Sequence, residues 1–409
     1  MRILFVAPDI PYPPTNGGKI VVFETIKQLL KKGNKIELLF LTDRNLDRSN
    51  LQELSKWCKP YPVFHNRKTS WIGLFLNIFS KKPYSIAKYY SNNLNKQFIK
   101  LLKNNKYDII QFEGIFIAYL INRGHKAIGI TPIVIRQLNV ESVIIERFSR
   151  NKSFFPIRLF LRLQHKRLLN YEANICAQFG KCFMISPVDK QKLEEMNPNV
   201  QTSVIPGGVD TSYFFPQIVK KDLFSLIFVG AMDWLPNIEG ILWFYKDIFP
   251  QIKQEISEAK LYVVGKNPPN CIKKLQGKDT IITGFVEDVR EYIAKGAVFI
   301  VPLKIGSGVR IKILNALSMG KAIVSTSIGC EGIDVINEKN IYIADSEKEF
   351  ARNVIFLLNN ENERKKLGEE GIKLVNKKYR WEKIVDDLEK EYKAIINENK
   401  VKKQKCNSY

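Results

Sequence analysis

The chain is poor in the residues that build metal centres and disulfide frameworks. Its 409 residues include six cysteines and three histidines. Cys58, Cys176, Cys182, Cys271, Cys330 and Cys406 lie far apart with no C-x-x-C spacing, and His65, His125 and His165 are equally scattered. That pattern argues against a metal site, a metal cofactor or a disulfide scaffold, and it fits a reducing, cytoplasmic compartment. Long hydrophobic runs are missing as well. The longest, WIGLFLNIF at residues 71–79, is about half the roughly 20 apolar residues of a spanning helix. The apolar start of MRILFVAPDI stops at Asp9, which is too short for a signal peptide. Acidic residues are in deficit, 41 Asp and Glu against 64 Lys and Arg, for a net charge of +23. A chain of this charge is drawn to polyanions: nucleic acid, an anionic membrane surface or phosphorylated small molecules. Any membrane contact is expected from the side, at the inner face.

What is present suits a multidomain globular protein. With 45% hydrophobic and 26% charged residues the chain can fill real cores, and its length predicts two or three domains. Residues 2–7 form a buried-strand run, followed by the loop PDIPYPPTNGG, a helical pattern at 19–32 and a second strand at 36–41. This is a βαβ unit, whose ligands sit at the carboxyl ends of its strands, where Gly17 and Gly18 fall. Further strands are predicted at 107–112, 133–135, 182–186 and 203–206. After a polar linker from Gly207 to Lys221, the βα rhythm restarts with SLIFVG, a helix through 238–252, KLYVVG, TIITG, VFIVPL and KAIVST. The restart predicts a second parallel α/β domain. Residues 346–400 read as helical and charged, with a frayed tail.

Two tracts mix aromatic residues with cations. Between 57 and 90 lie Trp71, Phe75, Phe79, Tyr84, Tyr89 and Tyr90 among Arg67, Lys68, Lys81, Lys82 and Lys88. Between 136 and 171 a basic helical tract carries Arg147, Arg150, Lys152, Arg158, Arg162, Lys166 and Arg167 beside Phe154, Phe155, Leu159, Phe160 and Leu163. The first reads equally as an interfacial element attracted to anionic lipid or as a core-facing helix with a solvated rim, and the second is a further candidate for membrane or lipid-phosphate contact.

The stretch IVPLKIGSGVRIKILNALSMGKAIVST, residues 300–326, concentrates the chemistry. A strand pattern runs through Gly306-Ser307-Gly308 into a helix expected to begin near Val309. The amino end of a helix attracts anions, and Arg310 and Lys312 would be unfavourable there unless something negative faced them. A phosphate-bearing ligand is the expectation.

Five motifs in order, PPTNGG, VIPGGVD (204–210), FVGAMDWLPN (228–237), ITGFVEDV (282–289) and the 306–326 stretch, resemble glycosyltransferase family 4 and its relatives. The resemblance implies an α/β GT-B fold, two Rossmann-like doubly wound domains facing across a cleft. It places an acceptor-binding domain at 1–205, a nucleotide-sugar domain at 206–385, and a terminal helix and tail at 386–409 crossing back to the first domain. It also implies retaining transfer of a hexose from a UDP- or GDP-linked nucleotide sugar to a lipid-linked or glycan acceptor in surface polysaccharide synthesis. Carried over by position, Gly306, Ser307, Gly308, Arg310 and Lys312 would bind the diphosphate and Asn315 the ribose. Gly284, Phe285 and Val286 would meet the base, Gly230 would line the donor pocket, and Gly17 and Gly18 would approach donor and acceptor. Asn139 and Glu141 are candidates for contacts near the sugar; no nucleophile is assigned.

The chain departs from the family pattern at four places. Gly230 is followed by Ala231 and Met232 instead of Arg and a later Lys, Ile305 and Asn315 replace glutamates, and Leu138 replaces a histidine in QLNVES. These changes motivate an alternative, a non-catalytic nucleotide-sugar-binding or scaffold subunit of a polysaccharide-assembly complex. A GT-B epimerase lacks an evident histidine and carboxylate set. A nucleic-acid partner rests on charge alone, without a binding motif, and is not expected.

Overall fold

A computed structural model describes residues 1–43, 46–150, 155–219 and 222–406, with side chains to residue 401. Lys152 and Phe154 of the basic tract, the end of the 207–221 linker and the last residues of the tail fall outside them. The chain divides into two compact units. Met1–Pro206 with Glu382–Tyr409 form the first, and Gly207–Trp381 the second.

Seven parallel strands make the sheet of the first unit: β1 (Arg2–Ala7), β2 (Lys35–Thr42), β3 (Lys59–Phe64), β4 (Ile109–Glu113), β5 (Ile133–Gln137), β6 (Lys181–Met184) and β7 (Thr202–Val204). Their order is β3-β2-β1-β4-β5-β6-β7. Ile3, Leu4, Phe5 and Val6 are fully buried, as continuous apolar runs must be when both faces of a parallel sheet are covered. Helix α1 (Gly17–Lys31) follows β1, its amino end capped by Asn16, whose side chain accepts from the Lys19 amide.

Segments 57–90 and 136–171 are more regular than their composition suggests. The first contains β3, hidden in sequence by Pro60 and Pro62. At the sheet edge, paired only with β2, a proline can lack its N–H without breaking a second ladder. It also holds the short helix α2 (Trp71–Asn77). The second is not one helical tract. It begins as β5 and continues as α3 (Glu141–Arg150) and α4 (Phe155–Cys176).

The second unit has six parallel strands: β8 (Asp222–Val229), β9 (Lys260–Val264), β10 (Thr280–Gly284), β11 (Gly296–Val301), β12 (Ala322–Ser325) and β13 (Tyr342–Ile343). Their order, β10-β9-β8-β11-β12-β13, is doubly wound, reversing direction between β8 and β11. The helix expected through 238–252 is interrupted. Helix α5 (Leu235–Trp243) gives way to a wider turn at Phe244–Ile248 before α6 (Phe249–Glu255). Pro250 has no N–H for an i→i−4 bond, and Phe244, Phe249 and Phe350 pack their rings there, with centroids 5.8 to 6.1 Å apart. Helix α7 (Ile311–Ser318) follows β11. Three helices close the chain: α8 (Glu347–Asn359), α9 (Glu361–Lys378) and α10 (Trp381–Cys406).

From Glu382 onward α10 packs within the first unit. Lys32 pairs with Asp386, Asn34 donates to Glu389 at 2.9 Å, and Lys181 meets Glu391 at 3.1 Å. Tyr392, fully buried, donates to the Gln111 side chain. Gln111 in turn donates to Glu113 at 2.6 Å, and Glu113 holds the fully buried Arg136 through two bonds of 2.9 and 3.1 Å. Arg136 also donates to Thr25 in α1 at 2.8 Å. A buried guanidinium is tolerated only with such satisfaction.

Candidate functional site

In the second unit the loops after β8 and β11 flank the point where strand order reverses, the usual ligand position in a doubly wound sheet. The loop after β11 carries Gly306 with φ +145° and Gly308 with φ +77°, both in the region that glycine tolerates best. A Cβ on Gly306 would lie 2.3 Å from the Arg310 guanidinium. Arg310 is the N-cap of α7, which begins at Ile311, two residues later than expected. Its side chain folds back into its own loop, donating to the Ser307 and Gly308 carbonyls, with Trp234 5.9 Å away. It is nearly buried, so its first task is to shape the loop in which it sits.

Lys312, within the first turn of α7, reaches toward the β8 loop. Its Nζ donates to Asn237 Oδ1 at 2.9 Å and lies 4.0 Å from the Phe228 ring centroid. Asn237 is itself fixed by donating to the Ala231 carbonyl at 2.7 Å. Burial, reinforced by the like charge of Arg310, pushes the Lys312 ammonium well below the usual lysine range. Gly230 lies beneath this pair: a Cβ there would sit 2.7 Å from Asn237 Nδ2 and 3.0 Å from Lys312 Nζ. Two basic side chains stand at the amino end of α7, where a negative charge would relieve both the desolvation of Lys312 and its repulsion by Arg310.

The structure thus brings together Gly230, Arg310 and Lys312, with Gly306, Ser307 and Gly308 on the same loop as Arg310. Asn315 lies one turn further along α7, half-buried. Gly284, with φ +69°, ends β10, and its carbonyl accepts from the Gly265 amide at 3.1 Å. Phe285 beyond it is exposed and Val286 half-buried. Asn237 was legible only as part of FVGAMDWLPN. Its role depends on a contact with Lys312, 75 positions away.

In the first unit, Gly17 and Gly18 begin α1, and the Leu138 side chain packs against Gly18, 3.4 Å from where a Cβ would lie. Asn139 donates to Glu141 at 3.4 Å. Glu172, fully buried in α4, accepts from the Glu141 and Ser142 amides at 3.0 Å each and from the Ser142 hydroxyl at 2.6 Å, so a carboxylate caps α3. Burial, followed by the Glu172 charge, pushes the Glu141 carboxyl up to about 7, opposed by Asn139 and Lys88. Nearby, Arg67 donates to the Pro8 carbonyl at 2.6 Å and to Asp9 at 3.2 Å. Tyr89 stacks on Phe116 with centroids 4.9 Å apart. Glu172 gave no sequence signal, because its task exists only once α4 folds against α3. Among the described residues no cluster of three His, Cys, Asp or Glu side chains could hold a metal, and no helix is long and apolar enough to cross a membrane.

Residues 224–360 match the family model described as Glycosyl transferases group 1. Along nearly its whole length the chain is similar to a 44.6 kDa protein in the cps region of Klebsiella pneumoniae. The two are 22% identical over 404 residues, 95% of this chain and 99% of the other. Among solved structures it is similar to sucrose-phosphate synthase from Thermosynechococcus elongatus, with a TM-score of 0.76 at 16% identity over 97% of this chain and 99% of that one. It is also similar to Anabaena HepE in complex with UDP-glucose, with a TM-score of 0.67 at 13% identity over 96% and 100%. At these identities the structural likeness carries the fold alone. The chain thus has the GT-B fold, and the second of its two doubly wound units carries the match to Glycosyl transferases group 1 over residues 224–360.

Proposed function

We propose that the protein is a retaining hexosyltransferase that uses a nucleoside diphosphate sugar, UDP- or GDP-linked, and a lipid-linked or glycan acceptor in surface polysaccharide synthesis at the cytoplasmic side of the membrane. The observation that carries the reading is Lys312, a cation held beside Arg310 with its charged form disfavoured, at the head of a helix that follows a glycine loop. A diphosphate supplies the missing negative charge. The similarity to a protein in a cps region supports the polysaccharide setting, and the UDP-glucose complex of HepE supports the donor class.

In the transfer, the bond from the sugar C1 to the β-phosphate oxygen breaks and a bond from C1 to the acceptor oxygen forms on the same face. The acceptor proton passes to the departing phosphate. Charge grows on that phosphate as the bond breaks, and Lys312, Arg310 and the 306–308 backbone stabilise it without reorganising. In the second unit Asn315 holds the ribose and Gly284 to Val286 meet the base; in the first unit Gly17, Gly18, Asn139 and Glu141 are the candidates for contacts with sugar and acceptor.

A thermal-shift screen across UDP-, GDP-, ADP- and TDP-sugars, followed by nucleotide release in the presence of membrane extract, tests the proposal. One donor class should raise the melting temperature in a concentration-dependent way. No stabilisation by any of them would refute the donor assignment. Stabilisation without turnover would favour a binding subunit, the reading for which Leu138 in the place of a histidine speaks.

A further inference from the structure

Helix α2 is inside out. Along it and just past its end, Trp71, Phe75 and Phe79 recur four residues apart with Ile72 and Leu76 beside them, and all five are exposed, Trp71 by 86% and Phe79 by 79%. The face turned inward is small and polar. Gly73 approaches Tyr84, and the buried Asn77 donates to the Lys82 carbonyl at 3.0 Å and accepts from Gln164 of α4 at 2.8 Å. Arg167 of α4 fixes the carboxyl end, donating to the Asn77 and Ile78 carbonyls at 2.8 and 2.7 Å. The helix is therefore anchored by hydrogen bonds while its apolar face points away from the protein. An apolar patch held outward in this way marks an interaction surface.

The ground beside it is cationic. A cavity of about 520 Å³ opens next to the carboxyl end of α2, lined by Lys81, Lys82, Lys166 and Arg167 among neutral side chains, with no carboxylate. Aromatic and aliphatic side chains projecting from a short helix, flanked by lysines and an acid-free basic cavity, match a bilayer: rings enter the acyl boundary while cations meet phosphates. Charge complementarity decides the occupant. A second copy of a chain carrying +23 would bring like charge to this face, whereas anionic phospholipid brings the opposite sign.

We propose that α2 and the Lys81–Arg167 cavity form a docking surface for anionic phospholipid, the helix entering the bilayer and the cavity taking a lipid phosphate. This surface is separate from the anion seat proposed at α7 and does not depend on the transfer reaction. The test is flotation of the full chain with vesicles of phosphatidylcholine alone or mixed with phosphatidylglycerol. The wild type should float with the mixed vesicles and far less with phosphatidylcholine. The triple variant Trp71→Ser, Phe75→Ser, Phe79→Ser should remain unbound with an unchanged melting temperature, since these side chains are exposed. The double variant Lys81→Ser, Lys82→Ser should partition roughly 30-fold more weakly into the anionic vesicles, at about 1 kcal/mol for each cation near the surface. Equal binding to both vesicle types, or variants that float like the wild type, would overturn the proposal. So would inorganic phosphate competing away all vesicle binding, or a wild-type dimer made monomeric by the triple variant without any vesicle binding. Nucleotide-sugar thermal shifts on the same variants keep the two questions apart: flotation can fail while donor binding persists, and the reverse.

Discussion

Replacing Lys312 by methionine should make the empty protein more stable and its donor complex weaker. The two side chains are similar in length, so the apolar stem is kept while the ammonium is lost. In the native fold that ammonium is disfavoured by burial and by Arg310 even after its bond to Asn237 is counted, and each unit by which a lysine is lowered is ~1.4 kcal/mol against its charged form. A higher melting temperature and unfolding midpoint without ligand are the expectation. With a nucleotide sugar the sign reverses. A charge-assisted hydrogen bond to phosphate contributes ~1.5–3 kcal/mol, so affinity should fall by about 10- to 150-fold. Chemical denaturation without ligand and titration calorimetry with the preferred donor measure the two halves. In the wild type, donor binding at alkaline pH should also take up a proton as the diphosphate recharges Lys312. Calorimetry in buffers of different ionisation heat reads that uptake directly. A variant that is destabilised when empty yet binds the donor normally would refute the assignment of Lys312 to the anion seat.

Gly230→Ala should weaken donor binding in the same direction, because its methyl would enter the space of Asn237 Nδ2 and Lys312 Nζ; an unchanged Kd would show that the pair can shift harmlessly. Glu141 keeps its proton to about pH 7 in the folded protein but loses it near 4.5 when unfolded, so stability should fall as pH rises between those values, by up to ~1.4 kcal/mol per unit. Because Glu172 shares the site, the slope belongs to the pair, and Glu141→Gln should flatten it in denaturant titrations across that range. Arg136→Met would strand the buried Glu113 carboxylate and should cost ~3–5 kcal/mol in urea unfolding. Should the loss stay below ~1 kcal/mol, Glu113 must be repaired from within the Gln111 network.

The doubly wound architecture was legible because buried parallel strands announce themselves as apolar runs. TIITG and KLYVVG became β10 and β9 almost residue for residue. Edge strands do not announce themselves in this way. In β3 two prolines opposed the reading, and only its position beside β2 made them harmless. The residues proposed as an anion seat were only half legible as a group. The glycines and cations stood together in sequence, but that Arg310 would bend back onto its own loop while Lys312 leaned on Asn237 depends on tertiary contacts. The 71–79 stretch shows the limit most clearly. Its composition fitted a buried helix as well as an interfacial one, and which face points outward lay with Gly73, which lets the helix approach Tyr84, and Asn77, whose hydrogen bonds hold the inner face.

One consequence follows from the last helix. The first unit ends at Pro206 and resumes at Glu382, so its interior is finished by residues made after the entire second unit. During synthesis the second unit can fold as soon as it emerges, whereas the first must wait with Gln111 and its neighbours uncovered until Tyr392 arrives. Shortening the chain before that tyrosine would therefore injure the half of the molecule that is translated earliest.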